Sequence, residues 1–136
     1  MRSETLIMPA ASAISALIVD DQFTMRALIK VAMQQIGITD LREAGDGEEA
    51  FKALLSKGAH LVISDFNMPK LDGLELLRAI RAHPPLRQTA FIMLTGRADQ
   101  DLVKRAAQFG VNNYLVKPFT AAVLKGKIEQ VFGALT

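Results

Sequence analysis

The sequence predicts an α/β domain with a five-stranded parallel sheet and helices on both faces. Two observations carry this. Short apolar runs alternate with amphipathic stretches five times along the chain. Four of the five runs are apolar almost without a break, as strands covered on both faces must be. Strict alternation of this kind is the pattern of repeated βα units, whose crossovers place helices above and below one sheet.

The elements follow in order. Ile14–Val19 is the first strand, and Phe23, Ala27, Val31 and Ile36 mark the first helix, with Gly37 where it should stop. Thr39–Ala44 mixes polar and apolar residues and suits the edge of the sheet. Asp46 with Glu49 has the three-residue spacing of an acidic capping box, opening a helix marked by Ala50, Phe51, Leu54 and Leu55 that ends near Gly58. His60–Ser64 is the third strand. Asp72 with Glu75 opens the third helix, marked by Leu74, Leu77 and Ile80, and Pro84-Pro85 ends it. Ala90–Leu94 is followed by a helix with Leu102, Val103, Ala106 and Ala107, which Gly110 closes. Asn112–Val116 is the fifth strand. Leu124, Ile128, Val131, Phe132 and Leu135 mark the last helix.

Composition narrows the function. The 136 residues leave room for one domain, and half of them are hydrophobic, enough for a packed core. Sixteen Lys and Arg against fourteen Asp and Glu leave +2, too small a surplus to argue for nucleic acid. Without cysteine there is no disulfide, thiolate nucleophile or zinc–thiolate site, and His60 and His83 are too far apart in sequence to suggest a histidine-based metal site. No apolar run is long enough to cross a membrane. At the start, Ala11-Ser12-Ala13 looks like a small-residue cleavage site, but Glu4 and Pro9 spoil the export pattern. Residues 1–13 are therefore expected to be a tail, and 14–136 the domain.

In open α/β sheets ligands bind at the carboxyl ends of the strands. Asp20 and Asp21 follow the first run, Asp65 the third, Thr95 the fourth and Lys117 the fifth. Each has an ordinary explanation alone. Asp20 or Asp21 suits a helix N-cap, Thr95-Gly96 suits a turn, and Lys117 before Pro118 suits a solvated loop. Their common position at one edge is harder to attribute to capping. Three carboxylates at one rim raise one another's pKa unless a cation joins them. Oxygen ligands without His or Cys suit Mg²⁺. Such a site, with a lysine and a hydroxyl beside it, is a phosphoryl-binding arrangement. An Asp carboxylate can itself accept the group, and Asp65 is the central candidate. No Gly-rich phosphate loop follows the first strand, so a Walker A loop and a dinucleotide fingerprint are both absent.

Val19-Asp20-Asp21, Glu43-Ala44-Gly45-Asp46-Gly47, Asp65-Phe66-Asn67-Met68-Pro69 with Asp72-Gly73, Thr95-Gly96, and Tyr114-Leu115-Val116-Lys117-Pro118-Phe119 together resemble the response-regulator receiver domain, from Ile14 to about Leu135. Phe23-Thr24-Met25-Arg26 and Lys117-Pro118-Phe119-Thr120-Ala121-Ala122 are similar to the stand-alone chemotaxis members in particular. The resemblance implies a flavodoxin-like doubly wound sheet of strand order 2-1-3-4-5 with five helices. It implies Asp65 as phosphoacceptor, and Mg²⁺ held by Asp21, Asp65, the backbone carbonyl of Asn67 and, through a water, Asp20. Thr95 and Lys117 would bind the phosphoryl oxygens, with Thr95 and Tyr114 as the switch pair. It further implies a cytoplasmic switch that is not a turnover enzyme, a chemotaxis-type histidine kinase as donor, and the flagellar motor switch or another protein as target, with neither nucleic acid nor membrane. A phosphorelay shuttle, or a regulator in another pathway, is the alternative. A Mg²⁺-dependent aspartyl-phosphate phosphatase is a further one, although its second Asp is replaced here by Asn67. Two positions depart from the chemotaxis pattern. Gln22 stands where those members carry Phe, and Arg97 replaces an acidic residue, so Asn67 and Arg97 are the positions expected to tune dephosphorylation.

Overall fold

The computed structural model describes residues 10–96 and 100–136. Five parallel strands, β1 (Ser15–Val19), β2 (Asp40–Ala44), β3 (Leu61–Asp65), β4 (Ala90–Thr95) and β5 (Asn113–Val116), form one sheet in the order β2-β1-β3-β4-β5. The helices are α1 (Phe23–Ile36), α2 (Gly47–Ser56), α3 (Gly73–Ala82), α4 (Gln100–Gln108) and α5 (Ala121–Phe132). The mixed second run is an edge strand, as its composition predicts.

Why the central runs are uninterrupted follows from the period of two along a strand. Ala16, Ile18, Leu61, Ile63, Ile92 and Leu94 enter one core with α1 and α5. Leu17, Val19, Val62, Phe91 and Met93 enter a second core with α2, α3 and α4. Both parities must be apolar because both faces are covered.

Local chemistry sets the helix ends. Gly37 takes the left-handed conformation after α1, with φ of 102°, and its N–H donates to the carbonyls of Met33 and Gln34. Asp72 and Glu75 form a complete capping box on α3, while Asp46 makes only the forward half, accepting from the Glu49 N–H.

Two expectations change. In α1 the inward residues are Met25, Ile29, Ala32, Met33 and Ile36, whereas Phe23 and Val31 are exposed. Apolar residues ring most of this helix, so periodicity alone does not select the buried face. On α2, Leu55 is likewise exposed. Ala11–Ala13, placed in the tail on sequence, form a short 3-10 turn. Ala11 is buried against the first core, and its N–H donates to the Thr136 carbonyl at 3.1 Å. The packed chain therefore begins ahead of Ile14. No described helix is long and apolar enough to cross a membrane.

Candidate functional site

Sheet register assembles the site. Val19 pairs with Ser64, Asp65 with Leu94, and Thr95 with Val116. Asp20, Asp65, Thr95 and Lys117 consequently stand in a row at the carboxyl ends of β1, β3, β4 and β5. The strand order reverses direction between β1 and β3, and the cleft opens beside that reversal. Its volume is about 300 Å³, and Asp21, Gln22, Asp65, Phe66, Asn67, Thr95, Gly96 and Lys117 line it.

The three carboxylates offer oxygens that all lie within 4.8 Å of one another. Asp20 is only 1% exposed and Asp65 7%, whereas Asp21 stands exposed at the mouth. Neither Asp20 nor Asp21 caps α1. The N-cap is Gln22, which makes no side-chain capping bond. Asp20 Oδ1 accepts the Gln22 N–H at 2.9 Å, ahead of the helix, and Asp20 Oδ2 is buried with no hydrogen-bond partner among the described residues. Burial raises the Asp20 pKa above its ordinary value. The Gln22 hydrogen bond opposes the rise, the nearby charge of Asp65 adds to it, Lys117 opposes it, and Asp21 adds a smaller increment.

Lys117 reaches into this group. Lys117 Nζ donates to Asp65 Oδ1 at 2.8 Å, and the Lys117 backbone N–H donates to the Thr95 carbonyl at 2.8 Å, joining the ends of β4 and β5. The Lys117–Pro118 peptide is cis. Among the described residues, the Lys117 ammonium is the cation bonded to this group of three carboxylates, two of them buried. The unpartnered Asp20 oxygen and an all-oxygen donor set fit a hard divalent cation.

The loop after Asp65 is seated tightly. The Ser64 hydroxyl donates to the Asp65 carbonyl at 2.9 Å, and the Gly73 N–H donates to the Phe66 carbonyl at 2.8 Å. A Cβ on Gly73 would lie 2.5 Å from the Asp65 carbonyl oxygen and 2.8 Å from Met93 Sδ, so only glycine fits there. The sequence motif Asp72-Gly73 thus has a steric cause.

Sequence reasoning assigned no role to Arg26. Its Nη1 donates to the Asp20 carbonyl at 2.6 Å and its Nε to Glu43 Oε1 at 3.1 Å, bracing the loop after β1 against β2. Asp20 is six residues away and Glu43 seventeen, and neither spacing follows a helix or strand period that would have revealed the contact. Tyr114 lies half-buried in β5. It borders a small apolar cavity with Met93, Thr95, Leu102, Val103, Ala106 and Val111, and the Lys127 ammonium stands 4.8 Å from its ring centroid. Thr95 is buried. The structure therefore brings Asp20, Asp21, Asp65, Asn67, Thr95 and Lys117 to one cleft, and sets Tyr114 beside Thr95 across the cavity. Arg97 lies outside the described residues.

A parallel 2-1-3-4-5 sheet carrying an acidic trio and a lysine at its switch point defines the receiver class of signalling domain. The chain belongs to the response regulator receiver domain family, which residues 16–129 match. Within that family it is CheY-like. It is 52% identical to the probable chemotaxis protein CheY of Rhizobium etli, over 94% of this chain and 99% of that protein. It is 47% identical to the chemotaxis protein CheY of Pseudomonas aeruginosa, over 85% and 94% of the two chains. Among solved structures, the chemotaxis response regulator CheY4 of Vibrio cholerae superposes with a TM-score of 0.80 at 27% identity, covering 92% of this chain and 99% of that one. The receiver domain of a Pseudomonas aeruginosa sensor histidine kinase, described with a magnesium ion coordinated in its active-site cleft, also gives 0.80 at 28% identity, over 89% and 98%.

Proposed function

We propose that this chain is a stand-alone two-component response regulator, phosphorylated on Asp65 by a histidine kinase. The observation that carries this is the buried, unpartnered Asp20 oxygen beside the Asp65–Lys117 pair. It places a buried carboxylate oxygen, without a hydrogen-bond partner among the described residues, next to a carboxylate that a lysine already orients. Capping or architecture does not require that combination.

The chemistry runs as follows. An Asp65 carboxylate oxygen attacks the phosphorus of a phosphohistidine. The P–N bond breaks, and its electron pair leaves on the imidazole nitrogen. Lys117, already bonded to Asp65, follows the new phosphoryl oxygens, and the Thr95 hydroxyl donates to another of them. Asp21, Asp65, the Asn67 carbonyl and, through a water, Asp20 would hold Mg²⁺, which would supply positive charge against the crowded carboxylates and the incoming phosphoryl group. Asn67 and Arg97 are assigned to setting the rate of dephosphorylation. Asn67 cannot carry a proton as the acid–base Asp of a phosphatase would, so the chain acts as a switch rather than a turnover enzyme.

Thr95 and Tyr114 carry the signal outward. As Thr95 moves toward the phosphoryl group, the Tyr114 ring enters the space behind it, changing the face formed by α4, β5 and α5. The cavity between them holds only about 10 Å³, at the threshold for one water, so the ring can enter only if a neighbour yields. The identity to chemotaxis proteins over nearly the whole chain supports a place in the cytoplasm, between a chemotaxis-type kinase and the flagellar motor switch.

The test loads purified protein with Mg²⁺ and beryllofluoride and offers it motor-switch protein and a histidine phosphotransfer domain. Beryllofluoride-dependent capture of the motor-switch protein is expected. Capture of the phosphotransfer domain alone would replace the motor assignment with a phosphorelay shuttle.

A further inference from the structure

We propose that Lys127 is a latch on the switch, its ammonium holding the Tyr114 ring in the half-exposed arrangement by a cation–π contact. This rests on the reading of Tyr114 as the mobile member of the switch pair. Lys127 Nζ lies 4.8 Å from the ring centroid, well inside the range of such contacts. Among the described residues it has no carboxylate partner within 4.0 Å, although α5 carries Glu129 two positions on. The Glu129 carboxylate is instead bonded to the Leu135 N–H at 2.9 Å.

The helix segment bearing Lys127 is itself fixed. Asn113, the residue before Tyr114, donates through Nδ2 to the Lys127 carbonyl at 3.1 Å and to Gln130 Oε1 at 2.7 Å. Asn113 Oδ1 in turn accepts the Tyr114 N–H at 3.0 Å. Backbone and side chain of Lys127 are thus both held against the β5 segment that must release the ring. An inward ring forfeits the contact, so a phosphoryl group at Asp65 has to overcome it. A ligand shifts a two-state equilibrium only by its differential affinity for the two states. Lys127 accordingly sets how much of the population is inward before phosphorylation.

The sequence supplies the probe. Tyr114 is the only tyrosine and there is no tryptophan, so intrinsic fluorescence of the full chain reports this ring alone. The experiment measures acrylamide quenching of that fluorescence in Mg²⁺, with beryllofluoride titrated in, for wild type, Lys127→Met and Lys127→Arg. Met keeps the length and apolar stem but lacks the charge, whereas Arg restores a cation. For Lys127→Met, resting quenching should fall toward the beryllofluoride-saturated wild-type value. Its half-saturation should drop about two- to fivefold, the equilibrium shift such a contact supports at a half-exposed site. Lys127→Arg should titrate like wild type. Wild-type quenching that ignores beryllofluoride removes Tyr114 from the switch, and the latch with it. A responsive wild type with an identical Lys127→Met titration overturns the latch and leaves the switch standing.

Discussion

The two ends of the sheet hold their polar groups on different terms. At the amino end lies an open depression of about 450 Å³, lined among others by His60, Thr89, Asn112 and Phe132. There the side chains of His60 and Asn112 stand exposed and bonded to their neighbours. His60 Nδ1 accepts the Ser15 N–H at 3.0 Å, and Asn112 Oδ1 accepts from both the Phe91 N–H and Arg81. Arg81 also donates to the carbonyls of Gly110, Arg87 and Thr89, tying α3 to the segments before β4 and β5. Burial lowers its pKa, the direction a desolvated cation takes. At the carboxyl end one carboxylate oxygen is buried with no hydrogen-bond partner among the described residues, and three like charges crowd together. The larger depression is architecture and the smaller cleft is the candidate site. Unsatisfied chemistry, rather than volume, distinguishes them.

Removing the centre of the cleft should have the largest effect. Asp65→Asn keeps the shape but loses the attacking anion, so mass spectrometry after acetyl phosphate and Mg²⁺ should show no phosphorylated species. Phosphorylation at the wild-type level would transfer the role to another carboxylate.

Arg81→Met tests the amino end. It strands several acceptors and should cost about 2–4 kcal/mol of stability in a denaturant titration. Mg²⁺ affinity at the far end should be unchanged. An equal loss of metal affinity would show that the two ends are not separable.

Asp20→Asn tests the opposite sign. Relieving a buried anionic oxygen should stabilise the metal-free domain by about 1–3 kcal/mol while abolishing most Mg²⁺ affinity. Thermal melts with and without Mg²⁺ check both halves, and a lower metal-free melting point would assign Asp20 to architecture instead.

The smallest effect is on pH dependence. The Asp20 pKa is raised in the folded chain above the ordinary 3.8. The folded state thus holds that proton more tightly than the unfolded one. Metal-free stability should be greatest with Asp20 protonated and decline as pH rises from 3.8 through the raised value. Asp20→Asn should flatten that decline, and saturating Mg²⁺ should oppose it because binding needs the ionised carboxylate.

Much of this division was legible in the sequence, for identifiable reasons. Strands buried on both faces leave continuous apolar runs, so all five strand boundaries fall within one residue of expectation. Parallel strands then align their ends, which is why Asp20, Asp65, Thr95 and Lys117 could be grouped before any geometry was known. The buried face of α1 was not legible, since apolar residues surround most of it. Nor was the packing of Ala11, a small residue with no periodic neighbours. The roles of Arg26 and Arg81 were hidden because their partners are brought close only by the fold. The contact between Lys127 and Tyr114 depends on how α5 lies along the edge strand.

The glycine seat beneath the loop after Asp65 bears on how much this loop can change. Gly73 abuts the Asp65 carbonyl, and the capping box of Asp72 and Glu75 begins α3 at that same point. Residues 66–72 therefore bridge two fixed anchors. An insertion or deletion there would displace either the Asp65 carboxylate or the helix, so the geometry leaves this loop's length little freedom. Diversification toward new kinases and new targets is left to side chains on the exposed helical flanks, where a substitution can alter recognition without altering the chemistry.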